Sequence, residues 1–336
     1  MRAFLLALCI PFLLLLASGC GDDDDTGTDG DADADSDADA DGDADGDGDG
    51  DADCVADPAS VDLTGVWGVQ TTLQARLTER PNALVHVCPE SPTIATATIY
   101  LRYDITSHQG EDIESVVTFC DIVLPAPPGT VTDDCENSIT LELALGDDLA
   151  AYLPTMDFPG TATLTAEDGC ATLRPSDVVL ILGTDFDDDL DTPLPEWSST
   201  TQGCGPNDGG EPQDCVDGWD SVADEDGDSN PGVTLTATSE AINGAAYVTL
   251  RTKPTLVGFV LDENTLVGTV DPTLDYALVG SDIELSDLPL DTPSVLENLP
   301  EIEPVTEGSE FIALRADGWG AGSCADILDH TNDFSR

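Results

Sequence analysis

Basic residues are nearly absent. The chain of 336 residues holds nine Lys plus Arg against 69 Asp plus Glu, a formal net charge of −60. A surface of that sign repels nucleic acid and anionic membrane, so neither is an expected partner. Histidine is scarce too: His86, His108 and His330 are the whole supply, and no CxxC occurs, which leaves zinc without a ligand set of the usual spacing. After the N-terminus no apolar run reaches the roughly 20 residues that a membrane-crossing helix needs. The GxSxG, HExxH, Walker and dinucleotide-binding patterns are missing as well, so no catalytic residue is nominated and an enzyme is not the expected class. A carboxylate pair can hydrolyse glycosides, but among so many acids a pair singles out no position. A carboxylate-based hydrolase is therefore the last of three functional readings.

What is present begins with MRAFLLALCIPFLLLLASGC. Arg2 precedes an apolar run over residues 3–17, the layout of a secretory signal. The run is short for a span, and Pro11 interrupts it. It ends in LASGC, which resembles the lipobox of bacterial lipoproteins. Small residues Ala17, Ser18 and Gly19 precede Cys20, with Ala17 standing where the family more often has Leu. The resemblance implies removal of residues 1–19, acylation of Cys20, and a lipid bilayer as the first partner. Each buried methylene contributes about 0.8 kcal/mol, so more than one chain makes a durable anchor. Gly21 stands where Asp favours inner-membrane retention in enteric bacteria. That implies an outer-membrane location, facing periplasm or exterior. The whole chain resembles Asp-rich lipoproteins of Gram-negative bacteria.

Next comes DGDADADSDADADGDADGDGDGDAD, residues 29–53, with Asp at every second position. Residues 22–53 hold 17 Asp and no apolar side chain larger than Ala. Such a segment has nothing to bury against the entropy of ordering and is expected to be disordered. Alternate carboxylates of an extended chain lie about 6.5–7 Å apart, inside the Debye length of about 8 Å. They repel, and the tether from Cys20 to Cys54 stretches, to about 110 Å at most. Asp37, Asp39, Asp41 and Gly42 spell the opening of a calcium loop, but a run of period two matches that opening almost anywhere and no bidentate Glu follows.

Residues 54–336 form the expected globular domain, with a possible sub-division near 185–230. The tether takes 17 of the 69 acids, which leaves 52 against eight bases and a domain charge near −44. Cys9 leaves with the signal and Cys20 is the lipidation site. Cys54, Cys88, Cys120, Cys135, Cys170, Cys204, Cys215 and Cys324 remain, an even number in an exported chain, and read as disulfides. Cys204 and Cys215 bracket a polar segment and suggest a local clip.

The apolar pattern has period two. Trp67, Val69, Leu73, Ala75 and Leu77 share one face; Ala95, Ala97, Ile99, Leu101, Tyr103 and Ile105 share another; Ile139, Leu141, Leu143 and Leu145 repeat the pattern. Turn residues punctuate these runs, and helical turns are expected only near 294–299 and 324–328. The fold class is all-β, an antiparallel barrel or sandwich, stapled by disulfides. Gly65-Val66-Trp67 at the first strand resembles the GxW opening of lipocalin-like and avidin-like barrels. That resemblance implies a Trp plugging the closed end and an interior that holds a small apolar ligand.

The strongest local constellation is DGWDSVADEDGDSNPGVTL. Asp224, Asp226, Asp228 and Asn230 alternate just before a strand, which is how oxygen ligands converge on a hard cation, so calcium is the expected metal. Asp217 or Asp220 would complete the shell. A second acidic cluster, FDDDLD at 186–191, reads as a polar loop. Three readings follow: a lipid-anchored surface protein with a binding or structural head, calcium-stabilised; a lipocalin-like carrier of a small apolar ligand; and the hydrolase.

Overall fold

The computed structural model describes residues 54–335 except 82, 84, 85, 89, 90, 126, 127, 131–134, 136–138, 177, 187–191, 199, 200 and 205–209. The expected signal, the lipidation site Cys20, the aspartate tether and residues 187–191 of the second acidic cluster lie outside them. The described residues belong to one compact unit, Asp51–Arg336.

The principal strands in chain order are β1 (Gly65–Thr78), β2 (Thr93–Gln109), β3 (Asp112–Val123), β4 (Glu142–Leu145), β5 (Asp157–Glu167), β6 (Cys170–Pro175), β7 (Leu180–Leu182), β8 (Val233–Thr238), β9 (Ile242–Thr252), β10 (Thr255–Asp262), β11 (Thr265–Asp271), β12 (Asp275–Leu285), β13 (Leu288–Leu290) and β14 (Glu301–Arg315). Eight of them close an antiparallel barrel in the order β1-β14-β11-β10-β6-β5-β3-β2, and β2 returns to β1. A second antiparallel sheet runs β13-β12-β9-β8-β4, with β7 on β9. The all-β expectation holds, and of its two forms the barrel is present, with an open sheet beside it. Closure removes the free edges that a sheet this size would expose.

Alternation decides which side chains fill the barrel. Trp67, Val69 and Leu77 of β1 and Ala95, Tyr103 and Ile105 of β2 are buried, as their period requires. Thr71, a polar residue at an inward position of β1, is buried with them. The outward face of β2 is used as well: Tyr100 packs with Ile327 and Phe334 of the C-terminal segment. A second core, built on Leu180, Leu182, Val233, Val248 and Leu278, fills the space under the open sheet. Leu101 and Phe158 touch both cores, and Phe158 meets Phe119 edge-on with centroids 5.5 Å apart.

Both expected helical turns form. Thr292–Asn298 starts on Asp291, whose carboxylate accepts the Ser294 N–H at 3.0 Å, with Pro293 in the first turn. Cys324–Asp329 starts on a capping box between Ser323 and Asp326. A third short helix, Asp147–Tyr152, has no sequence signal beyond two acids in its first turn.

All eight domain cysteines are bridged: Cys54–Cys170, Cys88–Cys135, Cys120–Cys324 and Cys204–Cys215. The last is the expected local clip. Cys54–Cys170 fastens the start of the domain to β6, and Cys120–Cys324 fastens the C-terminal helix to β3. No described helix is long and apolar enough to cross a membrane.

Candidate functional site

One end of the barrel is plugged. Gly65 has φ +130°, and a Cβ there would stand 2.6 Å from the Asp317 carboxylate, so only glycine fits where the chain enters β1. Two residues on, Trp67 is fully buried and its indole N–H donates to the Leu63 carbonyl at 2.9 Å. The Arg315 guanidinium lies over the indole, 4.6 Å from its centroid, a cation–π contact. Arg315 is itself held by the carbonyls of Asp62, Thr64 and Glu263 at 2.7–2.9 Å. His108 accepts the Leu63 N–H at 3.3 Å from the next strand. The first strand, the last strand and the entry loop are thus joined at one aromatic plate.

Beyond the plate the interior is not filled. A cavity of about 100 Å³ is bordered by Tyr103, opposite Trp67 in register, by Leu73, Ile99 and Phe119, by Thr252 at the end of β9 and by Pro254 in the β9–β10 connection. Its walls are almost wholly apolar, and no charged side chain of the described residues lines it. Alternation left this space open because inward positions here carry Thr71 and Ala313 against single large rings such as Phe311. Thr71 and Tyr103 are among the lining residues, and the hydroxyl oxygen of each is buried without a partner of hydrogen-bond geometry among the described residues. Burial pushes the Tyr103 phenol above its usual range. The Ser115 hydroxyl stands near enough to oppose that rise, but its placement does not meet the geometry of a hydrogen bond.

The acidic loop lies on the other core. Asp224, Asp226 and Asp228 each bring a carboxylate oxygen to within 4.8 Å of the others. Neither Asp217 nor Asp220 belongs to that group. Asn230 turns its amide N–H onto Asp228 Oδ2 at 3.0 Å, and Asp228 also accepts from the Thr234 hydroxyl. Asp224 caps the loop from outside, accepting Gly227 N–H at 2.8 Å and Ser229 N–H at 3.1 Å. Asp226 points inward: Oδ2 takes the Thr234 N–H at 3.0 Å, while Oδ1 is buried without a partner among the described residues. Burial raises the Asp226 carboxyl above the ordinary range, and the charges of Asp228 and Asp224 add to the rise. At Asp228 burial acts upward too, but hydrogen bonds from Thr234 and Asn230 bring it below the ordinary range.

The sequence reading missed Glu225. Its carboxylate accepts the Gly183 N–H at 2.6 Å, and burial raises its pKa, with Asp226 and Asp185 adding to the effect. Glycine is needed on both sides of this contact. Gly183 and Gly232 have φ +77° and +79°, and a Cβ on either would stand within 2.6 Å of the Val248 carbonyl. The signal available in the sequence was the glycine at 183, distant from the loop in the chain and adjacent in space.

No family model, curated protein or solved structure matches this chain.

Proposed function

We propose that the chain is an exported lipoprotein, held to a bilayer by acyl chains on Cys20, whose barrel is a binding head for a small apolar ligand. The single observation behind the binding role is the apolar, partly unfilled interior of a closed barrel. The space is about 100 Å³, below the roughly 300 Å³ from which ligand pockets usually start, so it suits only a small apolar guest. The buried Trp67 stands where the GxW resemblance implies a closed end.

The test uses the full mature chain carrying Cys20→Ser, which lacks the acyl anchor and any lipid that would absorb an apolar probe. Titration with toluene by calorimetry is expected to saturate at one site, with a dissociation constant of about 1 mM or tighter. Absence of saturable binding would remove the carrier role. In cells, labelled palmitate is expected on the parent chain and not on the Cys20→Ser variant.

A second reading concerns stability, and the buried, unpartnered Oδ1 of Asp226 among three converging carboxylates favours it. Calcium held by Asp224, Asp226 and Asp228 would complete that oxygen and offset the mutual repulsion. Melting in calcium against chelator is the check. At a hundredfold excess over the dissociation constant the ion adds about 2.7 kcal/mol, and Asp226→Asn is expected to abolish the gain. Coincident melting curves would eliminate the ion.

A further inference from the structure

A groove beside the open sheet shares no lining residue with the barrel cavity and is larger, about 340 Å³ and partly open to solvent. We propose that it binds a small organic cation of the methylated-ammonium kind, recognised by the rings of Trp197 and Tyr247 and the charge of Asp291. Stretches of chain far apart in sequence build it. Trp197 is fixed by its indole N–H, which donates to the Cys204 carbonyl at 3.3 Å. The Cys204–Cys215 bridge seats Gly210 of the same lining, where a Cβ would stand 2.5 Å from Cys215 Sγ. Tyr247 of β9 lies opposite Gly280 of β12, and a Cβ on Gly280 would stand 3.0 Å from the Tyr247 ring and 3.6 Å from Pro231. Trp197 and Tyr247 belong to one apolar cluster. Asp291 starts the helix Thr292–Asn298, which the Ser281 and Thr292 hydroxyls tie to β12 at 3.2 Å.

The lining selects a cation with an apolar surface. Asp291 is its one carboxylate, and no Lys, Arg or His of the described residues lines it. An anion would enter against that charge and against the acidic excess of the whole head. Burial pushes the Tyr247 phenol above its ordinary range, and the charges of Asp282 and Asp228 add to the rise, so the ring stands in a negative field. A bare metal ion asks for converging oxygens. This wall is instead more apolar than polar, with Pro212, Pro231 and Pro293 beside the two aromatic residues. A methylated ammonium offers methyl groups to such a wall and its charge to the rings, the pairing in which cation and aromatic attract. The volume lies within the range of small-molecule pockets.

Choline and dimethylbutanol have the same shape, with nitrogen in one where the other has carbon, so they differ in charge. In the full mature Cys20→Ser chain at physiological salt, choline is expected to saturate one site in calorimetry and to bind about tenfold tighter than dimethylbutanol. Tyr247→Leu keeps every charge of the protein and is expected to weaken choline about tenfold. Asp291→Asn keeps a good helix cap and is expected to weaken choline severalfold while leaving any binding of dimethylbutanol unchanged. It carries the test if Tyr247→Leu does not fold. Toluene binding in the barrel is expected to be the same in both variants, so failure of the groove and failure of the barrel site are told apart. Equal affinity for choline and dimethylbutanol in the parent chain would overturn the cation reading. Choline affinity unchanged in the folded variants would overturn the site, since the acidic surface as a whole would then be attracting the ion. Absence of saturable choline binding would overturn it as well.

Discussion

Trp67→Ala is expected to destabilise the head by about 3–5 kcal/mol, the range for removing a buried aromatic that cannot be replaced by collapse of its neighbours. The indole is fully buried, with Leu63 and Ile105 in the same core and Arg315 over its face. Its loss opens a hole at the one place where β1, β14 and the entry loop meet. It also leaves the Leu63 carbonyl without its indole donor and removes the ring beneath the Arg315 guanidinium. For a domain of this length each kcal/mol lowers Tm by roughly 2–4 °C, so a fall of about 10 °C is expected in calorimetry. Trp67→Phe keeps a ring in place and is expected to lose less than half as much. A change below about 1 kcal/mol for Trp67→Ala would show that the plate does not hold the barrel closed.

The second large effect is expected from the paired change Cys120→Ser and Cys324→Ser. Among the described residues this bridge closes the longest disulfide loop, with a sequence separation of 204. In the chain-entropy account its removal costs about 5 kcal/mol, because the unfolded chain regains the freedom that the loop had taken from it. The native side of the change is local. The C-terminal segment lies on the outside of β1 and β2: Trp319 stacks on His330 at 4.6 Å, Phe334 meets Trp319 edge-on at 5.8 Å, and Trp319 packs so close to Gly68 that a Cβ there would stand 2.7 Å from its ring. Without the bridge these contacts, with Tyr100 packed on Ile327 and Phe334, hold the helix Cys324–Asp329. Hydrogen exchange is the check, with protection expected to fall over residues 324–335 and to persist in β1 and β2. Unchanged protection there, with Tm unmoved, would mean that aromatic packing alone seats the segment.

Much of the fold was legible because period two carries it. In β1 and β2 one face alternates Trp, Val, Leu, Ala and Ile with polar partners, and a strand buried on one face has no other arrangement that hides them. The helical turns expected near 294–299 and 324–328 form, each started by a local side-chain cap, Asp291 and Ser323. The helix Asp147–Tyr152 escaped notice because Gly146 gives it no side-chain cap; Leu149 and Leu153 hold it through the second core. Alternation in a short turn brings the carboxylates of Asp224, Asp226 and Asp228 together whatever surrounds them. Asn230 instead bonds Asp228, and Glu225 reaches Gly183, a partner 42 residues away that no local pattern reveals.

By itself the sequence determined the period of the strands, the acidic excess, the even set of cysteines and the residue types at each turn, since these follow from local chemistry. Tertiary structure decided the rest: closure of eight strands into a barrel rather than a sandwich, three of the four disulfide pairings, and the burial of Thr71 and Tyr103 on a shared cavity wall. The physical reason is distance along the chain. Alternation says which side of a strand is hidden, but only the pairing of strands far apart in sequence, such as β1 with β14, says what stands opposite and whether the space between is filled.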